Sequence, residues 1–167
     1  DAANTEVIFS PALNQQAAPA IVYVDDDWTG TALGADPDGV GPATTFGVDA
    51  FAVIQDGINA VTIGGQVIVY AGDYFENVEV PAAQNGLTIT GPNAGLAGDD
   101  VGRDPEAFIR GAGSGFALTI LGANTIVDGM AIVDDDGSEN GESIGVALGA
   151  QGSGTEFRNN LVSGFIT

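Results

Sequence analysis

The chain has 167 residues, 44% hydrophobic and 26 of them glycine, which suits one domain with a core and many turns. Asp and Glu number 23 against three arginines, with no lysine and no histidine, for a formal net charge of −20. That charge excludes nucleic acid and anionic membranes as partners, and no apolar run is long enough to insert in a bilayer.

The balance fits an exported protein that stays soluble at high salt, where screening weakens self-repulsion. There is no cysteine, so an exported form is stabilised without disulfides. In chain order, residues 1–20 are expected to be an arm and linker. Glu6-Val-Ile-Phe9 reads as a short strand, and Asn14-Gln-Gln-Ala-Ala-Pro-Ala20 as a polar Ala/Pro tether. Such an arm either packs on its own domain or adds a strand to a neighbour. Residues 21–167 are expected to form one domain.

Ile21-Val-Tyr-Val24 is apolar and largely β-branched, a strand signal. Residues 25–48 then form a long loop dense in turn residues, including Asp25-Asp-Asp27, Trp28 and Asp36-Pro-Asp-Gly39. Loops of this length are often functional or ordered by an ion. Asp25, Asp27, Asp36 and Asp38 are therefore calcium candidates, since calcium takes six to eight hard oxygen ligands in flexible geometry. A second acidic cluster, Asp134-Asp-Asp-Gly-Ser-Glu-Asn-Gly-Glu142, adds Asp134, Asp136 and Glu139. Neither matches a helix-loop-helix calcium loop, and a solvated turn is the alternative for both. Calcium is the one cofactor the composition suggests.

Phe51, Ile54, Ile58 and Val61 fall on one helical face. Asp49 suits the N-cap and Gly64-Gly65 the C-terminal stop, which predicts a helix at about 49–62. Short closely spaced strands follow at 67–70, 78–80, 87–90, 108–110, 117–121, 125–127, 130–133, 144–148, 156–158 and 161–163. No second helix pattern interrupts them, so a βαβ layout is excluded. Leu87-Thr-Ile-Thr-Gly91 recurs 31 residues later as Leu118-Thr-Ile-Leu-Gly122. Ile126 and Met130 recur at the same offset as Phe157 and Leu161. Equal offsets favour stacked coils, with Leu87 under Leu118 and Ile89 under Ile120. Asn85-Gly86 and Asn140-Gly141 are hairpin signals that keep a sandwich open.

The run Asp49-Ala-Phe-Ala-Val-Ile-Gln-Asp-Gly-Ile-Asn-Ala-Val61, then Gly64-Gly-Gln-Val-Ile-Val-Tyr-Ala-Gly-Asp-Tyr74 and Glu76-Asn-Val78, resembles the start of pectate-lyase-like proteins. Phe157-Arg-Asn-Asn-Leu161 looks like one of that superfamily's coil segments. The resemblance implies an all-β, right-handed parallel β-helix (solenoid) with a short N-terminal capping α-helix. It also implies an extracellular or cell-surface location. Polygalacturonase-like members use aspartates with a histidine, and pectate lyases a lysine or arginine beside calcium-binding aspartates. This chain lacks histidine and lysine, and its arginines are isolated.

The expected function is therefore structural, with no catalytic residues: a surface or matrix module that self-assembles end to end into filaments or a surface layer. Its partners would be further copies or neighbouring β-helix coils. Gly164-Phe-Ile-Thr167 carries no polar cap, so the chain is either a fragment or covered there by another molecule. The alternative is a carbohydrate-active or carbohydrate-binding protein, a polysaccharide lyase or hydrolase type acting through paired carboxylates. A third reading is a calcium-stabilised adhesin module.

Overall fold

The computed structural model describes residues 17–111, 115–133, 143–149 and 151–163. The expected strand at 6–9 lies outside them, as do most of the 1–20 arm and the whole cluster at 134–142. Thirteen strands and one α-helix are present among the described residues. The strands are β1 (Ile21–Val24), β2 (Ala50–Phe51), β3 (Gln66–Val69), β4 (Gly72–Phe75), β5 (Val78–Val80), β6 (Thr88–Thr90) and β7 (Ala107–Arg110). After them come β8 (Gly115–Ile120), β9 (Ile126–Asp128), β10 (Ala131–Val133), β11 (Ser143–Leu148), β12 (Glu156–Arg158) and β13 (Leu161–Ser163). The helix, α1, is Ile54–Ala60, and a 3-10 turn covers Asp26–Trp28.

All the pairings are parallel, and they make three separate sheets. One has six strands in the order β12-β9-β6-β3-β1-β2, one has four (β13-β10-β7-β4) and one has three (β11-β8-β5). This corrects the expected right-handed parallel β-helix solenoid. The pairings give a β-rich, mostly parallel three-sheet arrangement with one helix, and they do not give a uniform 31-residue coil. Leu87 and Leu118 do not stack, because Leu87 leads into β6 of the six-stranded sheet while Leu118 lies in β8 of the three-stranded one. Val67 pairs with Ile89, Ile89 with Val127, and Val127 with Phe157, at unequal spacings. Ile126 faces Glu156, one residue out of the expected phase.

Alternation sets the core. Val22, Val67, Ile89 and Val127 are in register along the six-stranded sheet, and all are buried. Tyr74, Ile109 and Ile132 do the same in the four-stranded sheet, and Val80 and Ile120 in the three-stranded one. These columns and α1 share a single apolar cluster. The loop at 25–48 has a second, smaller one, in which Trp28, Ala43 and Ala50 are buried and Trp28 meets Tyr70 edge-on at 5.9 Å. The aromatics of this region therefore pack the fold.

The helix is shorter than the expected 49–62. Asp49 does not cap it: its carboxylate accepts the Thr44 hydroxyl and the Thr44 and Thr45 N–H groups. Gly57 lets α1 sit close to the sheet, since a Cβ there would lie 2.9 Å from Val24 Cγ2. A second backbone device recurs at one corner. Gly64, Gly86, Asn124 and Gly154 all have left-handed φ, and each stands two residues before a strand of the six-stranded sheet. Only glycine and asparagine enter that region cheaply.

Candidate functional site

The two ends of the sheets differ most, and they form the candidate site. At the α1 end, side chains take the place of a next strand. Glu76, in the turn between β4 and β5, accepts the Ile54 and Gln55 N–H groups at 2.8 and 2.9 Å. It thereby caps α1, whose own N-cap, Val53, has no side-chain acceptor. Burial pushes the Glu76 carboxyl above its usual range, against those two hydrogen bonds. Gln55 then closes the free edge of β5: its amide oxygen accepts the Glu79 N–H at 2.7 Å, and its NH2 donates to the Glu79 carbonyl at 3.0 Å. Asp26 closes the edge of β4 by accepting the Asp73 N–H at 3.1 Å. At the C-terminus of α1, buried Gln84 donates to the Ile58 and Val61 carbonyls, both at 2.9 Å.

At the other end lie β11, β12 and β13, the outermost strands of their three sheets. Each carries an exposed apolar residue in register with a buried one, beside the partly buried Val146 of β11 and Leu161 of β13. Leu148 pairs with Ile120, Phe157 with Val127 and Val162 with Ile132. Those three partners are fully buried, while Leu148, Phe157 and Val162 are 63%, 40% and 49% exposed. The core column thus surfaces here on all three sheets.

Along the flank, a cleft of about 690 Å³ is lined by Asp73, Arg103, Asp104, Glu106 and Phe108, among others. Apart from Asp104, its charges are internally engaged. Arg103 makes a bidentate pair with Glu106 at 2.7 and 2.9 Å and donates to the Leu96, Ala97 and Asn159 carbonyls. Arg110 donates to Asp73 at 2.6 Å and lies over the Phe108 ring, 4.7 Å from its centroid. Arg158 stands near Glu156 and Asp128, at 3.4 and 3.8 Å.

Three of the four calcium candidates in the first loop, Asp25, Asp36 and Asp38, are used as turn acceptors. Asp25 accepts the Asp27 N–H, Asp36 those of Asp38 and Gly39, and Asp38 those of Gly41 and Ala43. Burial raises the Asp25 pKa, helped by the neighbouring Asp27 and Asp26 charges and opposed by the Asp27 hydrogen bond. Among the described residues no group of three or more acids, histidines or cysteines is placed to hold a metal ion. Asp134, Asp136 and Glu139 lie outside the described residues.

Sequence reasoning missed Glu76, Gln55 and Asp26, whose partners lie on separate elements. It also missed β4, because Gly72-Asp73 reads as a turn, although Tyr74 buried between exposed Asp73 and Phe75 is strand alternation. Among the described residues no helix is long and apolar enough to cross a membrane. Compared with protein-family models, curated proteins and solved structures, the chain matches none, so no relative identifies the pectate-lyase-like superfamily or any other.

Proposed function

We propose that this chain is a structural module of an extracellular or cell-surface assembly, and that it associates through the end formed by β11, β12 and β13. The observation that carries this reading is the exposure of Leu148, Phe157 and Val162 in line with buried columns. Apolar residues at one end of a core, beside open strand edges, mark a surface that another β-rich chain covers. The acidic composition supports an exported setting with abundant salt, where a net charge of −20 is screened. The engagement of all three arginines in ion pairs supports a scaffold over an enzyme. Sedimentation velocity of the whole chain over a concentration series at high salt tests the reading. Concentration-dependent association is expected, and a monomer at every concentration overturns it.

The flank cleft favours a second reading, carbohydrate binding. Carboxylates beside Phe108, with Phe75 exposed nearby, suit the hydroxyls and apolar face of a neutral sugar. A glycan array without a hit removes that reading.

A further inference from the structure

The edge strand β12 reads Glu156-Phe157-Arg158, with an acid and a base placed symmetrically about an apolar centre. Its pairing with β9 fixes which backbone groups are spoken for. The Glu156 N–H donates to the Thr125 carbonyl, and the Arg158 carbonyl accepts the Gly129 N–H. Residues of a strand alternate in the side to which their N–H and C=O point. Glu156 and Arg158 therefore spend theirs on β9, and Phe157 turns both of its groups to the free edge.

We infer that two copies of this chain pair β12 with β12, antiparallel and centred on Phe157, across a two-fold axis. This rests on the structural reading above and names its partner: the same end of a second copy. In that register Phe157 faces its own counterpart and exchanges two N–H···O bonds with it, with Cα atoms about 5.5 Å apart. Glu156 of each copy then stands opposite Arg158 of the other, in the close non-hydrogen-bonded positions where opposite charges attract. Both side chains are half exposed, at 55% and 50%, and the 3.4 Å contact they make with each other within one copy is exchanged for the two contacts across the axis. Phe157 points into the interior column, so the pairing lays the two open cores against each other, which is where Leu148 and Val162 also surface.

The opposite end cannot take the same strand. Glu79 on β5 is bonded through both N–H and C=O to Gln55, and the Asp73 N–H on β4 to Asp26. That end also carries Asp25, Asp26, Asp27, Asp56 and Glu79, and Arg110, which reaches it, is paired to Asp73 at 2.6 Å. A contact of like end with like end closes on itself, whereas a head-to-tail contact grows without limit. The expected species is a pair, and any larger array needs another surface.

Sedimentation equilibrium of the whole chain at moderate salt should fit a monomer–dimer equilibrium with nothing larger. Glu156→Arg and Arg158→Glu each place two like-charge pairs across the axis and should weaken the dimer roughly tenfold. The double variant E156R/R158E restores both attractions and should recover dimerisation. A circular-dichroism melt verifies that each variant folds. Hydrogen exchange gives an independent reading, because the Phe157 amide should be unprotected in dilute protein and at least several-fold slower in the dimer. Open-ended growth, a dimer indifferent to the single variants, or a double variant that fails to recover overturns the two-fold pairing while leaving the structural module standing. A monomer throughout overturns both.

Discussion

At the α1 end, sheet edges meet side chains: Gln55 closes β5, Asp26 closes β4, and β2 ends the six-stranded sheet beside the loop that carries Trp28. At the β11–β13 end the same three sheets stop with apolar residues half in water. Both ends are built from the same alternating strands, so alternation is not what separates them. What separates them is a handful of polar side chains that mimic a neighbouring strand. Gln55 is the clearest case, since a primary amide carries both N–H donors and a carbonyl acceptor and so can stand in for a peptide group. Closing an edge therefore takes a side chain at a specific place, whereas extending a sheet takes only another strand.

The sharpest way to break that comparison is to truncate two members of one column. Ile89 is fully buried in the six-stranded sheet, and Ile89→Ala should cost about 3 kcal/mol through lost burial and a cavity. Phe157 belongs to the same column, yet Phe157→Ala in dilute protein should cost about 1 kcal/mol or less, because much of its ring already meets water. Chemical denaturation at low and high protein concentration measures both. If Phe157→Ala costs as much as Ile89→Ala in dilute protein, that end is covered within the chain itself. Arg103→Ala tests what holds the same end in shape. It strips three carbonyls of a donor and leaves the Glu106 carboxylate unpaired in a largely enclosed site, which should cost about 3 kcal/mol. Because one of those carbonyls belongs to Asn159, just after β12, the variant should also weaken association. Unchanged association would separate Arg103 from that end.

Much of the strand content is legible from the chain. Residues 21–24, 78–80, 156–158 and 161–163 are strands as the sequence implies, and the other expected strands shift by a residue or two. The pairing is not legible. Leu87-Thr-Ile-Thr-Gly91 and Leu118-Thr-Ile-Leu-Gly122 look alike because any short strand with an inward-outward alternation and a glycine turn looks that way. Their likeness records a local shape and says nothing about which sheet each joins. Loop lengths decide that, and the loop at 91–106, fastened by Arg103 and by Asn93 to the Asp104 backbone, breaks any constant offset. The helix N-cap failed for a related reason. Asp49 is the acid nearest in sequence, but the one that reaches the helix N–H groups is Glu76, which follows by way of β3 and β4. The exposed ends of the columns become visible only once register is known.

Closure by side chains should show its own cost and its own pH dependence. Glu76→Ala removes the acceptor for two helix N–H groups and should destabilise the fold by about 2 kcal/mol, read from the Trp28 fluorescence melt. The smaller effect is titration. Burial raises the pKa of Glu76 and of Asp25, so both bind a proton more tightly in the folded chain than in the unfolded one. Between the ordinary carboxylate range near about pH 4 and these raised values, the folded state holds more protons. Their contribution therefore falls as pH rises through that window and is regained as pH is lowered. Asp56 beside Glu76, and Asp26 and Asp27 beside Asp25, push in the same direction. The midpoint of thermal unfolding should rise by a few degrees on going from neutral pH toward the carboxylate range, with relief of the −20 net charge adding to the trend. Glu76→Gln cannot titrate, so it should show a shallower slope. An identical slope in that variant would place the dependence on Asp25 and the overall charge, and the closed end would then be held by a cap whose charge the fold does not feel.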